Sequence, residues 1–484
     1  MRIAVTASDW VVLIPELIVL AAAGKVLMID AFAKRGWLRR LVPWTAFGGA
    51  ILAAVAAALL WNRPHVGFGG MFTNDNFAVL VKVAILSGAG LAILMAEHYV
   101  RREDLPSGEF YSLMLLSALG MMLLASSTNL IMIFLTLETL SIALYVLTGL
   151  DRARPRSQEA GLKYFLLGSF SAAFLVYGVA LTYGATGTLD LRRIAETVAA
   201  PAVLHNPVLL AGAGLILVGL GFKVAVVPFQ MWTPDVYEGA PSPATAFMSI
   251  GSKAAAFAAL ARMLVFALRD LRPEWIAAVW VIAALTMAVG NIVAIAQDNI
   301  KRMLAYSSIA HAGYILVAVA AANDIGAQAI PFYLIAYAFM NLGAWAVVTA
   351  VTKKGDEAVD LGSYSGLFWS HPVLAGSMAL FMFALAGLPP TSGFTAKVYI
   401  FMAAVSSKMI GLLIIAIVTT IISAYFYLRV TVIMFLQRPP EPPSVRVPAP
   451  LAAAIVIAAI ATFWLFLFPG TTAAFTHSVA ASLR

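Results

Sequence analysis

The chain has 484 residues, of which 62% are hydrophobic and only 11% charged, with a mean hydropathy of +0.93 and a net charge of +8. A soluble domain carries about a quarter charged residues, and no water-soluble fold hides this much apolar surface, so soluble enzymes, disordered proteins and secreted disulfide scaffolds are excluded. The absence of cysteine also removes thiol catalysis and the thiolate ligands of iron–sulfur clusters.

Apolar stretches of membrane-crossing length recur from end to end. They centre on residues 10–29, 41–61, 77–96, 110–126, 128–149, 160–184, 208–230, 244–268, 274–296, 302–321, 328–351, 372–403, 411–436 and 450–468. That predicts an all-α polytopic membrane protein of about fourteen helices. Ten-residue alternating segments, the mark of a β-barrel, are missing. The chain reads as a single transmembrane domain, 1–484. It divides into three N-terminal helices (1–109), a five-helix unit (110–268), a second five-helix unit (274–437) and a final helix (450–468). The connection 185–207 carries Leu189, Leu191, Ile194 and Val198 beside Arg192 and Arg193, and predicts a short interfacial helix.

Basic residues set the orientation. With the N-terminus outside, Lys34-Arg35, Arg39-Arg40, Arg101-Arg102, Arg152, Arg154, Arg156, Lys301-Arg302 and Lys353-Lys354 all fall inside. Arg2, Arg63, Arg192-Arg193, Arg269, Arg272, Lys408 and Arg484 fall outside. The inward excess predicts both termini away from the cytoplasm, and it accounts for the positive charge without nucleic acid.

Charges within spans are the chemical signal. Glu138, Lys223, Lys253 and Lys397 lie deep in apolar helices, where each charge costs about 2.5–3.5 kcal/mol. Packing does not require them, so they are candidates for proton translocation; the alternative is an ion pair that fixes helix register. Lys82, Arg262 and Arg429 lie nearer span ends and are expected to snorkel. Glu16, after Pro15, reads as structural. No histidine has a partner at metal or haem spacing, and there is no P-loop or dinucleotide fingerprint, so no metal or cofactor site is expected.

Two spans are broken. Gly219-Leu220-Gly221-Phe222-Lys223 runs into Pro228, Pro234, Pro241 and Pro243. Gly387-Leu388-Pro389-Pro390-Thr391-Ser392-Gly393 interrupts a long apolar run just before Lys397. Proline removes a backbone donor and clashes with the preceding turn, and unwound backbone at membrane depth is tolerated where it lines a cavity or is buried in protein. Two such breaks suggest inverted repeats with an ion path at the breaks. Lys223 to Lys397 spans 174 residues and Glu138 to His311 spans 173. Five helices per unit, an odd number, would place the units in opposite orientations. His311 has Ser307, Ser308 and Tyr314 on its face, Glu138 has Ser141 and Tyr145, and Lys253 has Ser249. These stripes suit a proton wire, although a lone histidine on an apolar helix is also consistent with a satisfied core residue.

The runs Lys223–Pro243 (KVAVVPFQMWTPDVYEGAPSP) and Gln297–Leu316 (QDNIKRMLAYSSIAHAGYIL) resemble the signatures of the antiporter-like membrane subunits of respiratory complex I. The fold is shared by multisubunit sodium(potassium)/proton antiporters, which are the alternative. Within the family the chain resembles the N branch. It lacks the long C-terminal extension of the L branch, and Lys397 stands where the M branch typically has glutamate. The resemblance implies that Glu138 is the fifth-helix glutamate and Lys223 the seventh-helix lysine that pairs with it. It further implies that Lys253 is the central relay, Lys397 the outlet lysine and His311 a tenth-helix polar group. It implies a translocase subunit of NADH–quinone oxidoreductase in a bacterial inner membrane, beside subunits M and K and lipids. Flavin, iron–sulfur clusters and quinone would lie in other subunits.

Overall fold

The computed structural model describes residues 6–32, 36–354, 358–438, 445–470 and 478–479. Arg2, Lys34, Arg35 and Arg484 of the charge pattern lie outside the described residues. The described chain is helical apart from a small antiparallel hairpin, His65–Gly67 with Phe72–Asn74. Helices dominate because the bilayer offers no water to backbone groups, so each segment must satisfy its own. Their first turns are closed by short polar side chains that accept from exposed amides. Asp75 caps Asn76–Arg102, Asn129 caps Leu130–Thr148, Asn206 caps Pro207–Val224, Asn299 caps Ile300–Ala321 and Asn323 caps Asp324–Val351.

Among the described residues, twelve helices are long and apolar enough to cross a membrane. Two of the expected spans fall outside that set, each for a visible reason. Ile14–Phe32 carries Glu16, Lys25 and Asp30. The 372–403 run is cut into Pro372–Ala386 and Ser392–Ser406, each too short alone. The other broken span is cut into Pro207–Val224 and the half-helix Trp232–Gly239. Both breaks contain a cis X–Pro bond, Val227–Pro228 and Pro389–Pro390. A short helix is present in the 185–207 connection as Leu191–Val198, with Leu191, Ile194 and Val198 buried.

The internal repeat shows in the backbone. Asn129 bridges Asp190, and Asn299 bridges Asp360. The same hydrogen bonds flank both bridges: Leu130 N to Leu189 O (2.8 Å) and Leu191 N to Thr128 O (3.0 Å), against Ile300 N to Val359 O (2.9 Å) and Leu361 N to Asp298 O (2.8 Å). Gly120 packs on Leu140 and Gly290 on Ala310. Every equivalence is 170 residues. That register matches Glu138 to Ser308 and His311 to Ser141, which corrects the expected Glu138–His311 equivalence. The caps fix the register, and a three-residue error keeps nearly the same helical face.

Of the three cations expected to snorkel, only Arg429 reaches the surface, bound to Asp298 at 2.6 Å. Lys82 is fully buried and pairs with Glu16 at 2.7 Å. Arg262 forks onto Asp75 with two 2.8 Å bonds and donates to Ala125 O. Both buried pairs act between helices, as locks. Removing one member of a buried pair costs about 3–5 kcal/mol, whereas an apolar replacement of both is far milder. Glu16→Ala is therefore expected to lower the melting temperature of the purified protein, and Glu16→Leu with Lys82→Met to recover most of the loss. Equal melting of wild type and Glu16→Ala would contradict the lock.

Candidate functional site

In the first five-helix unit, Leu130–Thr148 carries Glu138 and, two turns on, Tyr145. Glu138 is half-buried, and its Oε1 has no hydrogen-bond partner. The adjoining face, Leu135, Ile142 and Val146, is exposed. Lys223 ends helix Pro207–Val224, where Ala225 turns into the left-handed region and the chain unwinds. Its side chain is buried, and Nζ donates to Tyr145 Oη at 3.3 Å. The ammonium lies 5.0 Å from the Tyr145 and Tyr164 ring centres and 5.7 Å from Phe222, within cation–π range. No Glu138–Lys223 ion pair forms within 4 Å among the described residues. The expected direct pairing is thus replaced by a tyrosine contact, because Tyr145 fills the space nearest the ammonium. Gly168 makes room for it; a Cβ there would overlap the Tyr145 hydroxyl.

Beyond the break, Trp232 stacks on Tyr164 with centroids 4.5 Å apart and planes 9° apart, and its Nε1 donates to Phe222 O at 3.0 Å. Pro228 lies in the unwound segment and Pro234 in the first turn of the half-helix. Asp235, on that half-helix, accepts from Lys163 at 2.7 Å and Arg302 at 2.9 Å.

Lys253 sits midway along Ser242–Ala261, all of whose residues are buried. Its Nζ donates to Ser308 O at 2.5 Å. Ser249, one turn back, accepts from Asn341 at 2.7 Å. Ser308 belongs to Ile300–Ala321, where Ser308, His311 and Tyr314 recur every three residues on one face. His311 Nδ1 is 2.7 Å from Tyr333 Oη, and Nε2 is 3.3 Å from Tyr427 Oη. Tyr427 Oη is in turn 2.5 Å from Ser307 Oγ. The Tyr314 hydroxyl donates to Thr419 and accepts from Thr420 and Asn291, each at 3.2 Å. Lys397 lies 4.8 Å over the Tyr314 ring and donates to Ala386 O, 2.8 Å away at the lip of the Pro389-Pro390 break. One helix face therefore runs from Lys253 to Lys397. Lys223 and Lys253 share no direct hydrogen bond among the described residues.

The sequence-predicted residues thus fall into two groups: Glu138 with Lys223, and Lys253, Ser307, Ser308, His311, Tyr314 and Lys397. Ser249 lies one turn before Lys253 on the same helix and accepts from Asn341. Tyr164, Trp232, Tyr333, Tyr427 and Asn341 were missed. Their only sequence signal is a hydroxyl, amide or indole inside an apolar span, which does not reveal a partner up to 116 residues away. Among the described residues no group of three His, Cys, Asp or Glu could hold a metal ion.

Residues 127–423 match the family described as NADH:quinone oxidoreductase/Mrp antiporter, TM. NADH-quinone oxidoreductase subunit N of Trichlorobacter lovleyi is 46% identical over 463 residues, covering 95% of this chain and 93% of that protein. The subunit of that name from Chloroflexus aggregans is 43% identical over 464 residues, covering 95% of each. Among solved structures, a chain of respiratory complex I from Thermus thermophilus superposes with a TM-score of 0.81 at 38% identity, covering 94% of this chain and 98% of that one. A chain of the Mrp complex from Dietzia sp. gives 0.87 at 22% identity over 99% of this chain and 98% of its own length, a likeness of fold alone. At 43–46% identity over nearly its whole length, the chain belongs to the subunit N family of NADH–quinone oxidoreductase, the proton-translocating, antiporter-like membrane subunits of respiratory complex I.

Proposed function

We propose that Lys223, Lys253 and Lys397 are the proton-carrying groups of this subunit, with Glu138 setting the state of Lys223 and His311 bridging the last two. One observation carries this reading. Each of the three buried ammonium groups rests on a neutral oxygen: the Tyr145 hydroxyl, the Ser308 carbonyl and the Ala386 carbonyl. The structural cations Lys82 and Arg262 instead hold carboxylates. A lock needs a counter-charge. A relay needs an ammonium whose proton can leave without abandoning a buried anion.

Lys223 holds a proton against Tyr145 and its ring cage. A charge rearrangement in a neighbouring subunit acts on half-buried Glu138 and, along its helix, on Tyr145. The proton then passes toward Lys253, along the Ser308–His311–Tyr314 face to Lys397, and out. Subunits M and K are the neighbours in this reading. Flavin, iron–sulfur clusters and quinone lie in other subunits. The inward excess of Lys and Arg supports a bacterial inner membrane placement with both termini periplasmic. The test is NADH-driven acidification of sealed vesicles with and without sodium. Equal rates are expected; pumping that requires sodium would favour cation exchange instead.

A further inference from the structure

The proton path leaves unused a charged cluster where half-helix Trp232–Gly239 meets Pro155–Thr186 and Ile300–Ala321. Asp235 is its centre. Oδ2 takes Lys163 Nζ at 2.7 Å and Oδ1 takes Arg302 Nη1 at 2.9 Å. Arg302 also holds Glu238 at 2.8 Å, and Lys163 holds Glu159 at 2.7 Å. The cluster borders a cavity of about 220 Å³. Isolated surface ion pairs contribute little stability. This one is distinguished by what it joins: Lys163 belongs to the first five-helix unit and Arg302 to the second, so a single carboxylate fastens the half-helix to both.

The same half-helix carries the lid of the first lysine. Trp232 begins it. Tyr164, next in sequence to Lys163, stacks flat on Trp232, lies edge-on to Tyr145 at 4.8 Å, and faces the Lys223 ammonium at 5.0 Å. The half-helix is also seated closely, since a Cβ at Gly239 would meet Ala160 Cβ at 2.6 Å. Tether and lid therefore share the same two elements: Lys163 with Tyr164 on one, Asp235 with Trp232 on the other.

We propose that Asp235 is a positioning residue, the tether of a gate that closes Lys223 from the cytoplasm. With Asp235 held by Lys163 and Arg302, the Trp232–Tyr164 stack seals the lysine. Release of Asp235 lets the half-helix tilt and opens a path for reloading. This rests on the relay reading for the importance of Lys223 and on the proposed topology for the side.

The chain has no cysteine, so a single Lys223→Cys variant gives a defined probe. The intact complex, in vesicles with the cytoplasmic face outward, is treated with an impermeant cationic methanethiosulfonate, and modification of this subunit is read by mass. Lys223→Cys alone should react slowly. Adding Asp235→Asn should speed reaction about tenfold or more, the room left when an open state is populated at roughly 0.1–10%. Asp235→Glu should restore slow reaction. Glu159→Gln, which removes a carboxylate from Lys163 but not from the half-helix, should leave it slow. Fast reaction of Lys223→Cys alone, an unchanged rate with Asp235→Asn, or equal opening by Glu159→Gln overturns the gate. Assembly is verified in each preparation by co-purification of this subunit with the rest of the complex. The relay reading fails on pumping by Lys223 variants and this one on reactivity, so the two are separable.

Discussion

Alanine at Gly387 is expected to reduce proton pumping nearly as far as loss of Lys397 itself. Gly387 ends half-helix Pro372–Ala386 with φ +83°, a conformation that costs a residue bearing a Cβ about 1–2 kcal/mol. The added Cβ would stand 2.6 Å from Lys397 Cδ, 3.1 Å from Cε and 3.2 Å from Nζ. The lysine must give way, and its ammonium leaves both Ala386 O and the Tyr314 ring. Gly376, in the same half-helix, has nothing within 4 Å of the corresponding position, so Gly376→Ala serves as control. Pumping normalised to NADH oxidation should fall several-fold for Gly387→Ala and stay at the wild-type level for Gly376→Ala. Indistinguishable variants would mean that the Lys397 position is not critical.

The second large effect concerns the entry to the path. Glu138 and Lys223 are not in contact, and Tyr145 bonds the ammonium. Tyr145→Phe keeps the ring but removes the acceptor of a bond worth about 1.5–3 kcal/mol when one partner is charged. Glu138→Gln removes the nearby carboxylate, and Glu138→Asp only shortens its reach. Tyr145→Phe and Glu138→Gln should each lower pumping several-fold, with Glu138→Asp milder. If Glu138 acts through Tyr145, the double variant should pump no worse than the poorer single one, because residues acting in one chain are not additive. Strictly additive losses would show that the two act independently.

The spans were legible because a bilayer demands long apolar helices. The breaks were legible because proline cannot continue one. Which buried charges meet a carboxylate and which a neutral oxygen was not, since that depends on the partner. Depth in the span set Lys223 apart from Lys82, but snorkelling was the wrong expectation for Lys82, which is fully buried. Lys82 meets Glu16 on another helix and Lys223 meets a tyrosine. Arg262 finds Asp75 across 187 residues, beyond any helical spacing rule. The repeat was legible in outline, yet its register needed the Asn129 and Asn299 caps and their backbone bridges. Tyr333 and Tyr427, which hold both nitrogens of His311, come from later helices and could not be paired with it from spacing.

The most direct test of the central claim is the proton-to-electron ratio of Lys223→Arg in sealed vesicles. Arginine keeps the positive charge and can still lie over the Tyr145 and Tyr164 rings, but its guanidinium does not give up a proton in proteins. If Lys223 carries protons, the variant assembles, oxidises NADH and pumps far fewer protons per electron than wild type. A wild-type ratio would contradict the account, because a fixed charge at that position would then suffice.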